Sequence, residues 1–288
     1  MEISKLKLSL SEDYWFEKLS NPVRSTAFNK DSYRNRTGGI GRVQANMPKE
    51  LSQKLKEIGD KNETSAFLLL SVALNVLLSK YTQSNDIITA TTHLHLKSSK
   101  AEDTLLFFRL SLTENATIKT LLKESLAQLN AAHGHRHYAF SELKRRLNIS
   151  GEGDLDFAKQ FGLVYNRFNE ESPMRNEIAT LFEVENIDGK FCVSIRYQLD
   201  HYDPSMMGQL LKHYLVVLTQ ILKSTEQRVS KIVVMDEAEQ LKLKDAVNNT
   251  ETHFPADKTI VDLFEEQVAK TPDHPAVKFK GITYTYRD

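Results

Sequence analysis

Histidine spacing is the first feature of this chain that invites a chemical reading. His133, His135 and His137 alternate. On a strand they would share one face, as a metal cluster requires; on a helix, i and i+2 point apart. No cysteine or carboxylate stands among them, so they read as a polar loop with His135 hydrogen-bonded to backbone, and no metal is assigned. His93 and His95 also alternate, at a predicted strand end, and two imidazoles without further ligands read as solvent-facing. His201 lies between Asp200 and Tyr202, but no Ser or Cys sits in a strand-turn-helix elbow to be activated by it. Gly38-Gly39-Ile40-Gly41 lacks both a following Lys-Ser/Thr and a preceding apolar strand, so it reads as a turn and not a phosphate loop. Lys144-Arg145-Arg146 is a basic run on a predicted helix: a solvated face, or a docking point for an acidic partner. No residue is assigned a catalytic role.

The elements that would position these groups follow from periodicity. Leu51, Leu55 and Ile58 mark an amphipathic helix. The next helix, with Thr64 as its expected cap, carries Phe67, Leu69, Leu70, Ala73, Leu74, Leu77 and Leu78 around most of its girth and belongs at the centre of a core. Its apolar run, Ala66 to Leu78, is interrupted by Ser71 and Asn75 and is too short for a bilayer. Residues 86–92, 105–112, 161–168 and 178–186 are strand-like. Asp188-Gly189 is a two-residue hairpin turn, after which Phe191, Val193, Ile195, Tyr197 and Leu199 alternate with polar residues. Ile118 to Leu129 is helical, and Asp203-Pro204 opens a long helix as cap and first residue. Residues 20–42 are polar and glycine-bearing and read as a crossing segment. Within the polar stretch 224–258, Asp236 and Glu239 are placed to cap a short helix reciprocally. Thr259 caps another helix, and Val277 to Tyr286 reads as a hairpin turning at Lys280-Gly281. The pattern is an α/β (mixed α+β) fold: a mixed sheet with packed helices.

Lys+Arg and Asp+Glu both number 38, so no net charge draws the chain to nucleic acid or to a membrane surface. One cysteine, Cys192, excludes an internal disulfide and fits a reducing, cytoplasmic setting, and the N-terminus has no secretory h-region.

Several of these segments resemble condensation domains of nonribosomal peptide synthetases, in the family's order. Tyr14-Trp15-Phe16-Glu17-Lys18-Leu19 resembles the "YW…L" run that leads into the second lobe, and residues 64–82 resemble its central helix. Residues 132–140 sit where the family has A-x-x-H-Q-D-x-P-F, and residues 161–169 resemble its LF-x-V-x-F-N-x-Q-N strand. Asn248-Asn249-Thr250, Phe254-Pro255, residues 260–267 and Thr271-Pro272-Asp273 resemble a condensation-to-adenylation junction, and Tyr284-Thr285-Tyr286-Arg287 an adenylation L-T-Y-R-E-L run.

The resemblance implies a chloramphenicol-acetyltransferase-like lobe. Residues 1–42 would be the inter-lobe segment, 43–228 the C-terminal lobe, 229–258 a linker and 259–288 the start of an adenylation domain. It implies amide formation between an acyl or peptidyl donor and an aminoacyl acceptor, both carried on phosphopantetheine arms of carrier proteins, with no cofactor bound by this chain. The family's HHxxxDG motif, which belongs to the first lobe, does not occur in the sequence. The implied partners are therefore the N-terminal condensation lobe, carrier proteins and an adenylation domain. Phe108, Arg109, His135, Phe140 and Asn166 are the expected lining or support of the tunnel wall. The sequence departs from the pattern at Arg136, His137 and Ala139, which replace Gln, Asp and Pro, and at Glu102-Asp103-Thr104-Leu105, where the Asn of F-V-N-T is lost. These departures motivate one alternative, a degenerate scaffold or carrier-docking module; another is a stand-alone acyltransferase of the same superfamily, which would also need the His motif.

Overall fold

The structure is a computed structural model. It describes residues 2–20, 38–92, 105–138, 143, 146, 159–169, 171–248 and 257–288. They divide into two compact units, Met1–Asp236 and Glu237–Asp288.

The first unit is built on a six-stranded mixed sheet of β1 (Ile40–Asn46), β2 (Asp86–Thr92), β3 (Leu105–Ser111), β4 (Phe161–Tyr165), β5 (Thr180–Ile187) and β6 (Lys190–Gln198). Their spatial order is β1-β6-β5-β4-β2-β3; β4 runs parallel to both β2 and β5, and the other pairs are antiparallel. Helices are α1 (Glu2–Leu19), α2 (Lys49–Lys61), α3 (Glu63–Thr82), α4 (Ile118–Gly134) and α5 (Pro204–Lys223).

Register sorts the side chains onto two faces, because residues paired across strands share a face. Tyr197 with Gly41, Ile195 with Phe182, Leu163 with Phe182, and Phe108 with Thr89 line one apolar face. α3 and α5 pack on it: Asn75 bonds Thr89 at 3.2 Å, the Phe67 and Phe108 rings lie 6.0 Å apart, and Phe182 meets Tyr214 at 5.2 Å. α3 is buried nearly all round, which explains its lack of a polar stripe. It is long and apolar enough to cross a membrane, but most of it lies inside this core.

The other face is split. Over β3, β2 and β4 it is apolar and covered: Trp15 of α1 meets Phe107 edge-on at 5.7 Å, and Ile178 packs over Gly162. Over β5, β6 and β1 it is polar, with Glu183, Glu185, Ser194, Arg196 and Arg42, and Arg42 reaches both glutamates at 3.5 and 3.6 Å. This explains why residues on β2, β3 and β4 read as continuous apolar runs while β6 alternates.

Several expectations are met. Asp188 and Gly189 turn the β5–β6 hairpin with φ of 52° and 82°, as a tight mirror-image turn requires. Asp203 caps α5 through Ser205 N at 2.7 Å, with Pro204 in first place. Other expectations are revised. Asn62, not Thr64, caps α3, accepting from Thr64 N and Ser65 N, because an extended residue just ahead of Glu63 can aim its amide oxygen at those donors. The strand-like run 161–168 ends at Tyr165, where Asn169 turns back and accepts from Tyr165 N at 2.9 Å. The segment read as crossing chain, 20–42, includes the start of β1: Gly41 lies against Tyr197 where no Cβ fits, a Cβ there being 2.6 Å from the Tyr197 ring. Val229 and Ile232, within the stretch read as linker, are buried in the first unit.

The second unit holds α6 (Glu237–Asn248), α7 (Ile260–Lys270) and a hairpin of β7 (Pro275–Phe279) and β8 (Ile282–Thr285) turning at Lys280 and Gly281. Thr259 and Asp262 cap α7 reciprocally. The unit has no buried core among its described residues. Ile260 is 87% exposed and Phe279 67%, and Phe264 meets Tyr286 at 5.6 Å.

Candidate functional site

The expected tunnel residues that lie among the described residues do not converge on one site. Phe108 is buried against Phe67 in the helix-covered face. Arg109, next on β3, points to the opposite face. Its guanidinium pairs with Asp86, Nη2 to Oδ2 at 2.7 Å and Nε to Oδ1 at 3.0 Å. Its Nη1 donates to the carbonyls of Lys18 at 2.9 Å and Ser20 at 3.3 Å, where α1 ends. The Asp86 hydrogen bond holds the guanidinium above its already high pKa. Gln128 of α4 accepts from Arg109 N and donates to Arg109 O, covering the open edge of β3 as a strand would.

His135 ends α4. Its backbone N donates to Ala131 O, and its carbonyl accepts from Trp15 Nε1 at 2.8 Å. Its ring stacks on Tyr14 at 4.3 Å between centroids, so the expected backbone bond belongs to its main chain, not its imidazole. Asn166 is exposed at the C-terminal end of β4, bonded to Asn186 of β5 at 2.9 Å. Arg109 sits on β3 near the N-terminal end of β2, and Asn166 lies near the opposite end of the sheet. Phe140 lies outside the described residues, as do His93, His95, Lys144 and Arg145. Arg146 is turned inward, paired with Asp13 at 2.7 Å and over the Phe16 ring at 4.9 Å.

The arrangement that gathers here is the seat of α1 on the sheet, which sequence reasoning missed. Trp15 is fully buried among Phe107, Tyr138 and Tyr14. Tyr138 donates to Leu105 O at 2.8 Å, and burial pushes its phenol up. Lys18 lies over the Tyr14 and Trp15 rings, 5.5 and 5.6 Å from their centroids, and its Nζ donates to Tyr14 Oη at 3.3 Å. Burial lowers this amine to about 8; Glu124 opposes the shift and Arg109 adds to it.

Polar order elsewhere is fixed. At the C-terminal ends of β2 and β4, buried Asn169 donates to Thr91 Oγ1 and Thr92 O. A cavity of about 520 Å³ lies between α2 and the β5–β6 turn, with Met47 and Phe191 among its walls and Lys49, Lys56 and Lys190 around them. A second, of about 510 Å³, lies on the polar sheet face between Arg42, Arg175, Arg196 and Glu183. Among the described residues no group of three His, Cys, Asp or Glu side chains is placed to hold a metal.

Residues 4–244 match the family model described as "Condensation domain". The chain is 26% identical over 269 residues to surfactin synthase subunit 1 of Bacillus subtilis (strain 168), covering 86% of this chain and 7% of that one. It is 29% identical over 262 residues to tyrocidine synthase 3 of Brevibacillus parabrevis, covering 83% and 4%. Among solved structures, holo-AB3403, a four-domain nonribosomal peptide synthetase bound to AMP and glycine, aligns with a TM-score of 0.73 at 15% identity, covering 96% of this chain and 24% of that one. The starter condensation domain of rhizomide synthetase RzmA aligns with a TM-score of 0.58 at 11% identity, covering 80% and 55%. The likeness extends to the fold that the sequence led us to expect, a chloramphenicol-acetyltransferase-like mixed sheet with packed helices. The chain spans about half of the RzmA domain and a small part of the curated synthetases.

Proposed function

The chain belongs to the condensation-domain family of nonribosomal peptide synthetases, and from that premise we propose that it is the C-terminal half of such a domain. It would serve amide formation between a carrier-tethered acyl or peptidyl donor and an aminoacyl acceptor, and another lobe would bring the HHxxxDG imidazole. One observation carries this reading: the matched residues 4–244 include the six-stranded sheet and the helices packed on it, while the chain covers only 55% of the RzmA condensation domain. The absence of any His-His pair from the sequence agrees with it. We assign residues 259–288 to the start of an adenylation domain. The exposed apolar faces of α7 and its hairpin require a cover. Coverage also rises from 80% against RzmA to 96% against the four-domain synthetase. The assay mixes the purified chain with donor- and acceptor-loaded carrier proteins, with and without a histidine-bearing N-terminal lobe, and measures amide by mass spectrometry. Product only with the added lobe is expected; product from the chain alone would overturn the assignment.

A second reading is a non-catalytic scaffold. It is favoured by Arg109, whose guanidinium is spent on Asp86 and on the carbonyls that end α1. The same assay decides it, since a scaffold yields no amide even with a competent lobe.

A further inference from the structure

The cavity between the start of α2 and the β5–β6 turn is used by neither reading. Hydrogen bonds fix its frame. Met47 N donates to Phe191 O at 2.9 Å, carrying the β1–β6 ladder up to the helix, and buried Ser52 donates to Met47 O at 3.3 Å. Across from them the Lys56 stem lies on Gly189, with Cδ 3.0 Å from where a Cβ would stand. At about 520 Å³ the cavity has the size of a small-molecule site, about 300–1,000 Å³. Its surface is mostly apolar, from Met47, Phe191 and the stems of the surrounding lysines.

Charge around the cavity is unbalanced. Lys56 is matched by Asp60, one turn along α2. The Lys49 and Lys190 ammonium groups are exposed at the rim, with no ion pair or hydrogen bond among the described residues. Among the described residues Asp188 is the only carboxylate of the lining; Glu50 and Glu57 of α2 lie outside it. The walls therefore carry one net positive charge, which a monoanion balances.

We propose that this cavity binds an amphipathic monocarboxylate, its apolar body against Met47 and Phe191 and its carboxylate held by Lys49 and Lys190. Entry of the body releases water from the apolar walls, and the rim ammonium groups attract the carboxylate while both stay partly hydrated. The inference uses only residues of the first unit and does not rest on the function proposed above.

The test is equilibrium dialysis of radiolabelled octanoate against the full chain at pH 7, with 1-octanol and acetate as competitors. One saturable site is expected. Octanol, which has the body without the charge, should compete roughly fivefold less well than unlabelled octanoate, and acetate, which has the charge without the body, should not compete at matched concentration. Lys49→Gln with Lys190→Gln should weaken binding roughly fivefold, as the loss of two exposed ionic contacts, and should flatten its dependence on salt. Gln53→Trp, at an exposed position of α2 that lines the cavity, should weaken it roughly tenfold or more by filling the space. All three positions are on the surface, so equal urea midpoints for the variants and the wild type are expected. Octanoate held only by the exposed apolar residues of α7 and its hairpin would bind both variants as it binds the wild type. Binding that does not saturate, that octanol displaces equally well, or that either variant leaves unchanged overturns the proposal. The amide assay reads the proposed function separately, so either reading can fail while the other stands.

Discussion

Replacing Arg109 by methionine tests whether this residue pins α1 or lines a tunnel. The guanidinium side chain is 25% exposed and Asp86 39%, so the ion pair is partly screened and contributes about 0.5–1 kcal/mol. The bond to the Lys18 carbonyl at 2.9 Å is charge-assisted and near ideal, that to Ser20 at 3.3 Å weaker; together they contribute about 2 kcal/mol. Methionine recovers about 1 kcal/mol by covering the apolar surface under the stem. The net expected loss is about 2 kcal/mol, read by urea denaturation at constant m-value. Hydrogen exchange should quicken at the Tyr14–Lys18 amides while those of α3 keep their relative protection, because only the helix end is released. Arg109→Lys should lose most of the same energy, since an ammonium cannot reach Asp86 and two carbonyls at once. In a double-mutant cycle with Asp86→Asn the coupling should stay near 1 kcal/mol, leaving the larger share in the helix contacts. A loss under about 0.5 kcal/mol, or unchanged exchange at Tyr14–Lys18, refutes the pin.

Lys18 gives a pH signature. Its folded pKa, lowered to about 8, lies below the unfolded value of 10.5, so between them the unfolded chain holds more protons and stability rises with pH. The wild type should gain up to about 3 kcal/mol relative to Lys18→Met between pH 8 and 10.5 in matched denaturations; parallel curves contradict the shift. Gly162→Ala places a Cβ 2.7 Å from the Ala90 carbonyl oxygen and 2.8 Å from Ile178, both fixed. It should cost about 1–3 kcal/mol or more, whereas Gly134→Ala, with open space, should be neutral or stabilising in the same melt. Asn62→Ala should lose about 1 kcal/mol by removing the α3 cap. The isolated chain should self-associate in size-exclusion chromatography through the exposed apolar residues of α7 and its hairpin, and ending it at Asp236 should reduce this; a monodisperse full chain refutes it.

What was legible follows from where the periodic signal is local. The alternation in β6, the Asp188-Gly189 turn, the Asp203-Pro204 helix start and the apolar girth of α3 each lie within one window of sequence, and each is present. β1 was missed because Gly38, Gly39 and Gly41 read as a turn, whereas Gly41 is there to clear the Tyr197 ring. α1 was missed because Leu6, Leu8 and Leu10 repeat with period two and leave no helical stripe. The Thr64 cap was misplaced because Asn62, Thr64 and Ser65 all carry a side-chain oxygen able to accept from the first turn, and only the chain's entry into the helix selects Asn62. The parallel pairing of β2 with β4 spans residues with no local mark, as do the contacts that gather Trp15, Arg109 and His135.

That last gap bears on function. A residue-type match at Arg109 or His135 treats a polar side chain as available for substrate. A β3 edge that must be covered, and a helix end whose carbonyls must be satisfied, claim the same groups first. Gln128 takes the edge, Arg109 takes the carbonyls, and His135 offers its own carbonyl to Trp15. Arg109 and Gln128 thus have structural roles at the end of α1 and the edge of β3, while the His135 imidazole stacks on Tyr14. If the chain is the C-terminal half proposed above, a tunnel-facing role would have to come from side chains whose hydrogen-bonding capacity the described residues leave over. On the polar sheet face Arg42 is half exposed, donating to Ser194 Oγ at 2.9 Å and reaching Glu183 and Glu185 at 3.5 and 3.6 Å.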